Sequence, residues 1–490
     1  MTTKTPLALL SCIGLALGCG GSPAHEEAGA DGGVDLSDAS PTGEADADEA
    51  DAGAPDAALP PDAALPPDAM IIDPEMDYDG DGYPYADDCN DDNASIHPGA
   101  DELLLNSTDD DCDGEIDELF VCALGGDYSS IQAAIDSAAA NTLIEVCAGT
   151  YAEHLVFDQA MRLRSRDGAL TTIIDGSNTE RVVVAANVAA PGVELTGFTL
   201  RHGLAGSYGG AVRCDASTMT IKDSTIKDNA ADIGGALSAD SCALSVDNTD
   251  FLNNTAVASG GGIFLRNSSG SISNSEVSGN TGHRGGGVAQ FEGSVVIKDS
   301  RIAQNIANNQ GGGVYHSSDA SFLRNTVEGN RSVHRGGGMT VDEHAPTIDD
   351  STYQDNMSGD DGGGLHLFIS QATVTNSLFQ DNDAGDDAGG VRILGSQITF
   401  TNNILRNNTA QGDGGGMKVS HNLSQITQST FENNTAEGQG GGIEIDDDHS
   451  LVSQCIFRGN TATSGGGVHT YVVGVPLRIE NSSINNTTAT

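Results

Sequence analysis

The stretch Gly209-Gly210-Ala211-Val212 is the first of eleven glycine-rich turns that are each followed by an aliphatic residue. Most of these turns read Gly-Gly-Gly or Gly-Gly-Ala. Their central glycines are 25 or 26 residues apart and lie at positions 210, 235, 261, 286, 312, 337, 363, 389, 415, 441 and 466. A repeat of this length is typical of solenoids, in which each unit packs on the next.

An asparagine precedes nearly every turn by six or seven residues, at positions 229, 254, 280, 305, 330, 356, 382, 408, 434 and 460. Apolar positions within a unit are mostly two apart, and no unit holds the ten or more residues of 3.6-residue periodicity that a helix requires. Each repeat is therefore predicted to be one coil of short strands. Stacking in register places Asn on Asn, where the residue can adopt positive φ and its side chains can form hydrogen-bonded ladders.

The phrases GGAV, GGAL and GGGI, together with Phe251-Leu252-Asn253-Asn254, resemble the repeats of chlamydial polymorphic outer-membrane proteins. This resemblance covers residues 207–490 and implies a right-handed parallel β-helix. Residues 121–206 resemble the entry segment of pectin-lyase-like β-helices, and residues 129–138 have the pattern of a short amphipathic helix that covers the first coil. The predicted fold class is all-β: a single-stranded parallel β-helix of about twelve to fourteen coils with an N-terminal capping helix.

Residues 1–18 are typical of an export signal, with Lys4 ahead of a short apolar run. The ending Leu15-Ala16-Leu17-Gly18-Cys19 resembles a bacterial lipoprotein signal, which implies acylation at Cys19. The alternative is an ordinary cleaved secretory signal in which Cys19 is incidental. Residues 19–72, rich in Asp, Glu, Ala and Pro, are predicted to be a disordered acidic linker. These features indicate a lipid-anchored protein of the bacterial cell surface or outer membrane, secreted if Cys19 is not acylated.

Residues 73–120 contain two acidic loops with alternating aspartates before a glycine, and the block also carries Cys89 and Cys112. Candidate ligands of the first loop are Asp77, Asp79, Asp81, Tyr83 and Asp88. Those of the second loop are Asp109, Asp111, Asp113 and Asp117. Alternating carboxylates around a sharp turn suit calcium, which takes six to eight oxygens. The block resembles the metal-binding module of bacterial surface proteins, including a methanotroph surface protein, and calcium is the expected cofactor. Solvated acidic loops are the alternative.

Beyond Cys12 and Cys19, seven cysteines indicate an oxidising compartment. Chain proximity favours three disulfides, although sequence alone does not fix the connectivity: Cys89 with Cys112, Cys122 with Cys147, and Cys214 with Cys242. Cys455 stands in a row of the repeat that serine otherwise fills, and is interpreted as a buried substitute.

The formal charge of −50 disfavours nucleic acid and bare acidic membrane as partners and attracts cations. One group of charged residues recurs at fixed distances from successive glycine turns: Asp361, Asp387 and Asp413 before them, and His366, Arg392 and Lys418 after them. Three interpretations stay open, namely a catalytic site, a ladder bridged by a cation, and plain solvated surface. Outward aromatics such as Phe264, Phe291 and Tyr315 can stack on sugars, but scattered exposed rings need no such role.

The favoured function is a structural or adhesive surface protein that binds calcium and extracellular polysaccharide or surface proteins. The alternative is a polysaccharide lyase or glycoside hydrolase on the same scaffold, because the fold leaves function open. The last repeat reaches Thr487 before another turn is due, and unpaired strand edges favour end-to-end self-association or a covering partner.

Overall fold

A computed structural model describes residues 73–100, 108–114, 116, 118–421, 423–446, 450–471, 478–485 and 487–489. The signal at 1–18, Cys19, the linker at 19–72 and the candidate ligand Asp117 lie outside the described residues. Within the described part of the chain, helices long and apolar enough to cross a membrane are absent.

Four parallel sheets run along the solenoid, and each coil from the first glycine turn onward contributes one short strand to each of them. Sheet 1 follows the glycine turn and contains Leu155–Phe157, Val183–Ala186, Val212–Asp215, Leu237–Asp240, Ile263–Arg266, Val288–Phe291, Val314–Ser317, Met339–Asp342, Leu365–Phe368, Val391–Leu394, Met417–Ser420, Ile443–Asp446 and Val468–Thr470. Sheet 2 comes next in each coil and contains Leu119–Val121, Leu143–Val146, Met161–Ser165, Val193–Thr196, Thr218–Lys222, Ala243–Asp247, Ser269–Ser273, Ser294–Lys298, Phe322–Leu323, Thr347–Asp349, Thr373–Thr375, Thr399–Thr401, Gln425–Thr427, Leu451–Ser453 and Arg478–Glu480.

The other two sheets complete each coil. Sheet 3 contains Gly149–Tyr151, Thr172–Asp175, Thr199–Arg201, Thr225–Lys227, Asp250–Leu252, Glu276–Ser278, Arg301–Ala303, Thr326–Glu328, Thr352–Gln354, Leu378–Gln380, Ile404–Arg406, Thr430–Glu432, Ile456–Arg458 and Ser483–Asn485. Sheet 4 contains Leu204–Tyr208, Ala230–Ile233, Thr255–Ser259, Thr281–Arg284, Ile306–Gln310, Arg331–Ser332, Met357–Ser358, Asp383–Ala384, Thr409–Ala410, Thr435–Ala436, Thr461–Ala462 and Thr488–Ala489. Within the described residues the sheets have 12 to 15 strands, which confirms the predicted parallel β-helix and its coil number.

The core lies inside the coil and consists of columns of like residues one coil apart. In-register pairing places Phe251 beside Val277, and Phe431 beside Phe457. The rings of Phe431 and Phe457 stack with centroids 4.7 Å apart and planes 12° from parallel. Burial of one such side chain contributes roughly 1.5–3 kcal/mol to the free energy of folding. Because each strand is short and buries only a few side chains, the stability of the solenoid comes from the whole column.

A ladder of buried asparagines runs along the solenoid between sheets 3 and 4. In each step, Oδ1 accepts hydrogen bonds from the backbone N–H and the Nδ2 of the preceding asparagine, as Asn280 does from Asn254 at 2.8 and 3.0 Å. The expected positive φ lies elsewhere, because Asn253 has φ 55° whereas Asn254 does not share that conformation. The residue before each ladder asparagine makes the bend, and this turns the amide inward.

A single described helix, Ile131–Ser137, covers the start of the coil and confirms the expected cap. Ser130 is its N-cap and accepts a hydrogen bond from the N–H of Ala133. The Glu153 carboxylate accepts hydrogen bonds from the N–H groups of Ile131 and Gln132 at 3.0 and 2.9 Å, satisfying the free donors of the first turn.

The described residues contain three disulfides, and they are the pairs favoured by chain proximity: Cys89–Cys112, Cys122–Cys147 and Cys214–Cys242. Cys455 is a free, buried thiol. The strand Leu119–Val121 pairs with Leu143–Val146, so the boundary expected at residue 120 falls inside the first strand of sheet 2. The acidic segment therefore continues directly into the solenoid.

Candidate metal centre

The first acidic loop is held by hydrogen bonds from its own backbone to aspartate oxygens. Asp77 accepts from the N–H of Gly80 at 2.6 Å with Oδ1, and from the N–H of Gly82 at 3.0 Å with Oδ2. Asp81 Oδ1 accepts from the N–H of Tyr83 at 2.9 Å. Gly82 has φ 105°, a conformation that side-chain-bearing residues rarely adopt. The glycine thus permits the tight turn that brings alternate carboxylates to one side.

Five carboxylates of this segment converge in two overlapping groups. Asp77, Asp79 and Asp91 form one group and Asp79, Asp81 and Asp88 form the other, each with donor atoms within 4.8 Å of one another. The Oδ2 atoms of Asp79, Asp81, Asp88 and Asp91 are buried and have no hydrogen-bond partner within the described residues. Buried carboxylate oxygens without donors are costly, and a cation is what would stabilise them together.

The pKa of Asp79 and the charges around it also indicate a cation site in the first loop. Burial raises the pKa of Asp79, and the neighbouring charges of Asp81, Asp88 and Asp91 raise it further. Like charges held this close repel one another unless a cation intervenes. A divalent ion would remove both penalties, because it favours the ionised form of every carboxylate around it.

Asp91 is a member of the site that the sequence pattern did not assign as a ligand. It lies beyond the twelve-residue loop, and its Oδ1 accepts a hydrogen bond from the N–H of Tyr78 at 3.1 Å. The loop pattern makes Tyr83 a candidate ligand, and its ring stacks on His97 with centroids 5.1 Å apart. In a calcium loop of this type that position supplies its backbone carbonyl, which is the atom Tyr83 would offer.

The second acidic loop repeats the local geometry of the first. Asp109 Oδ2 accepts from the N–H of Gly114 at 2.9 Å, as Asp77 Oδ2 does from Gly82. The carboxylates of Asp109, Asp111 and Asp113 lie within the same 4.8 Å limit. Burial raises the pKa of Asp111, and the Asp113 charge adds to it. The second loop is therefore a second candidate centre, with three described carboxylates where the first segment has five.

The two loops are joined by the disulfide between Cys89 and Cys112. The Sγ atoms of these residues lie near Asp88, but the disulfide removes them as thiolate ligands. The donors that remain in both groups are carboxylate oxygens, which hard cations such as Ca²⁺ prefer over softer transition metals.

The charged group on sheet 1 is a separate feature, and the solvated-surface interpretation of it is wrong. The side chains of His366, Arg392 and Lys418 point away from the core but are buried. The glycine turns lie against them: a Cβ on Gly362 or Gly414 would come within 3.1 or 2.8 Å of the Cβ of His366 or Lys418. This covering by the turns depends on the chain path, which the repeat pattern alone does not reveal.

An internal cation bridges this group. The Nζ of Lys418 lies 2.9 Å from Asp387 and Asp413 and 3.0 Å from Glu444. Burial alone would lower the pKa of Lys418, but the hydrogen bonds to these carboxylates outweigh it and hold the pKa above its ordinary value. Asp387 and Asp413 also use their Oδ1 atoms to accept the N–H of Asp413 and Gln439 at 2.9 and 2.8 Å. Asp387 and Asp413 therefore link successive coils, because each accepts a hydrogen bond from a backbone N–H of the next coil.

Four parallel sheets form one solenoid, and an acidic metal-binding motif precedes it along the chain. These features define a β-helix protein with a metal-binding module. The chain belongs to the family described as "Right handed beta helix region", whose model matches residues 210–379 and 360–490, more than half of the chain. A second model, described as "Putative metal-binding motif", matches residues 88–118. No curated protein sequence matches the chain.

Several solved structures are similar to this chain at low sequence identity. The A-module of the mannuronan C-5 epimerase AlgE4 of Azotobacter vinelandii is 14% identical, with 73% of this chain and 91% of that chain covered and a TM-score of 0.38. PfbA, a surface adhesin of Streptococcus pneumoniae, is 12% identical, with 66% and 86% covered and a TM-score of 0.28. The Dettilon tailspike protein is 11% identical, with 79% and 68% covered and a TM-score of 0.29.

Proposed function

We propose that this protein is an exported, calcium-binding β-helix protein of the bacterial cell surface, with a structural or adhesive role. The observation that carries the proposal is the convergence of the unpartnered, buried Oδ2 atoms of Asp79, Asp81, Asp88 and Asp91. Oxygen donors in short, turn-stabilised loops are the ligand set of calcium, and the second loop offers three carboxylates of the same kind.

Calcium would stiffen the junction between the acidic module and the solenoid. Arg164, on a sheet 2 strand, lies 2.8 Å from Glu145 and 3.9 Å from Asp113 of the second loop. The disulfide Cys122–Cys147 joins the first two strands of the same sheet. Order imposed by the ion on the loops would therefore pass to the first coils through fixed contacts.

The surface location is supported by the signal-like residues 1–18 and the acidic linker 19–72, which would hold the solenoid away from the membrane. Acylation of Cys19 would supply the anchor. A Cys19→Ser protein should lose membrane partitioning and change its electrophoretic mobility. If the wild-type and Cys19→Ser proteins partitioned identically into membranes, the lipid anchor would be contradicted. The proposal that the acidic loops bind calcium would not be affected.

The calcium site is tested by calorimetric titration of the chelator-treated protein. The double variant Asp79→Asn, Asp81→Asn should weaken calcium binding at the first loop by about tenfold or more, since two charged ligands are lost, and should leave binding at the second loop unchanged. Asp92→Asn is the matched control, because this exposed aspartate has the same charge but stands outside both ligand groups.

Two outcomes would overturn the assignment. Absence of calcium binding by the wild-type protein would remove the proposed role of the loops. Tighter binding of Cu²⁺ than of Ca²⁺, lost in the same double variant, would keep the site and replace the metal.

A further inference from the structure

Four aromatic residues form a second packed layer on the outside of the solenoid, which we name the aromatic cluster: Tyr208, Phe264, Phe291 and Tyr315. On the sheet 1 strand Ile263–Arg266, Ile263 and Leu265 face the core, so Phe264 points outward. Phe264 and Tyr315 are nevertheless only 5% and 3% exposed. The expectation of scattered exposed rings is therefore wrong for these residues, which pack on one another across three coils.

The rings follow one another along the solenoid axis. Phe291 lies between Phe264 and Tyr315, with centroid distances of 5.6 and 5.2 Å. Tyr315 is fixed from outside by its hydroxyl, which donates to Asp342 Oδ2 at 2.8 Å. The cluster thus offers a rigid surface of rings, of which Phe291 is partly exposed.

A cavity of about 360 Å³ opens beside these rings, lined by Ser259, Phe264, Arg266, Asn267, Phe291 and Glu292. This volume falls in the range of ligand sites, which combine apolar walls with a few polar groups. The lining has that composition, since two phenyl rings stand among a guanidinium, an amide, a carboxylate and a hydroxyl.

The polar groups of the cavity differ in how they are held. Arg266 is fixed, because its Nε donates to Asp240 at 3.1 Å and its guanidinium lies 5.6 Å from the ring centroid of Tyr208. The exposed side chains of Asn267 and Glu292 make no hydrogen bond within the described part of the chain. They are therefore available to a ligand as donor and acceptor.

We infer that this cavity binds a short segment of a neutral saccharide chain; the inference rests on the adhesive role proposed above and names its ligand class and site. The C–H face of a sugar ring packs on an aromatic ring, while its hydroxyls require paired donors and acceptors in the positions of Asn267 and Glu292. Anionic ligands are disfavoured because Glu292 lines the cavity and the formal net charge of the chain is −50.

The test measures binding of cellohexaose, maltohexaose and chitohexaose to the whole protein by calorimetry, with polygalacturonate as the anionic comparison. Phe291→Ala should weaken binding of the recognised hexasaccharide by roughly tenfold or more, as loss of a stacking ring does. Glu292→Gln, at an exposed position, should weaken it by about threefold or more without affecting folding. Tyr471→Ala is the matched control, since this ring is 71% exposed and stands outside the cluster.

The inference is overturned if none of the three neutral hexasaccharides binds, if polygalacturonate binds more tightly than all of them, or if both cavity variants bind like the Tyr471→Ala control. All titrations are repeated with chelator. Calcium binding without saccharide binding would reject this inference alone. Saccharide binding in a protein that takes up no calcium would instead reject the calcium role and leave the cavity assigned.

Discussion

Replacement of one ladder asparagine, Asn356→Ala, isolates the interaction that ties successive coils together. Asn356 Oδ1 accepts from the N–H and Nδ2 of Asn330, both at 3.0 Å. Its own Nδ2 donates to the carbonyl of Val327 at 2.9 Å and to Asn382 Oδ1 at 3.0 Å. Alanine keeps the backbone and deletes all four bonds at a site with no solvent exposure.

The expected loss follows from the number of bonds and from the donors left behind. A protein hydrogen bond contributes about 0.5–1.5 kcal/mol net, and a buried group without a partner costs about 1–3 kcal/mol. The backbone N–H of Asn330 becomes such a group. We expect the free energy of unfolding to fall by about 4 kcal/mol, which lowers the urea midpoint by on the order of 1 M.

Urea unfolding followed by far-ultraviolet circular dichroism, in calcium, measures this change. Met357→Ala is the matched control, because the next side chain points outward and is 38% exposed. Its effect should stay within about 1 kcal/mol. The role given to the ladder would be refuted if the free energy of unfolding of the Asn356→Ala protein lay within about 1 kcal/mol of the wild-type value. A value equal to that of the Met357→Ala control would refute it as well.

Three further predictions concern charge, pH and the disulfide of the module. Lys418→Met should cost about 3–5 kcal/mol in urea unfolding at pH 7, because it leaves Asp387, Asp413 and Glu444 without their shared cation; an unchanged free energy of unfolding would argue against the bridge. Burial lowers the pKa of His366 to about 3, below its ordinary value of 6.5. As the pH falls, the imidazole is therefore protonated in the unfolded chain before it is protonated in the folded protein. The free energy of unfolding consequently decreases as the pH drops from 6.5 towards 3. A His366→Phe protein should show a flatter decline of its thermal midpoint between pH 6.5 and 5, and an unchanged slope would contradict neutral burial. Cys89→Ser with Cys112→Ser should weaken calcium binding by about tenfold, since the bond joins the two loops, and equal affinities by calorimetry would oppose that link.

The repeat pattern of the sequence specifies the fold of this protein. In a parallel coil stacked in register, neighbours in space are residues 25 or 26 positions apart, as Val212 and Leu237 are. The repeat therefore contains the strand pairing, the core columns and the asparagine ladder directly. The helix Ile131–Ser137 can also be predicted from the sequence, because its apolar pattern and its N-cap are local. The carboxylates of the acidic loops are predictable for the same reason, since aspartates that alternate before a glycine are a local signal.

Which residues share a site depends on the path of the chain in three dimensions. Asp91 joins Asp77 and Asp79 because the chain turns back after the first loop, a path that spacing along the sequence does not specify. The outward side chains of sheet 1 are buried because the glycine turns fold against them, which converts Lys418 into an internal cation and Phe264 into part of a second packed layer. Period and polarity determine which side of a strand a residue occupies, but what covers that side depends on the shape of the turns between strands.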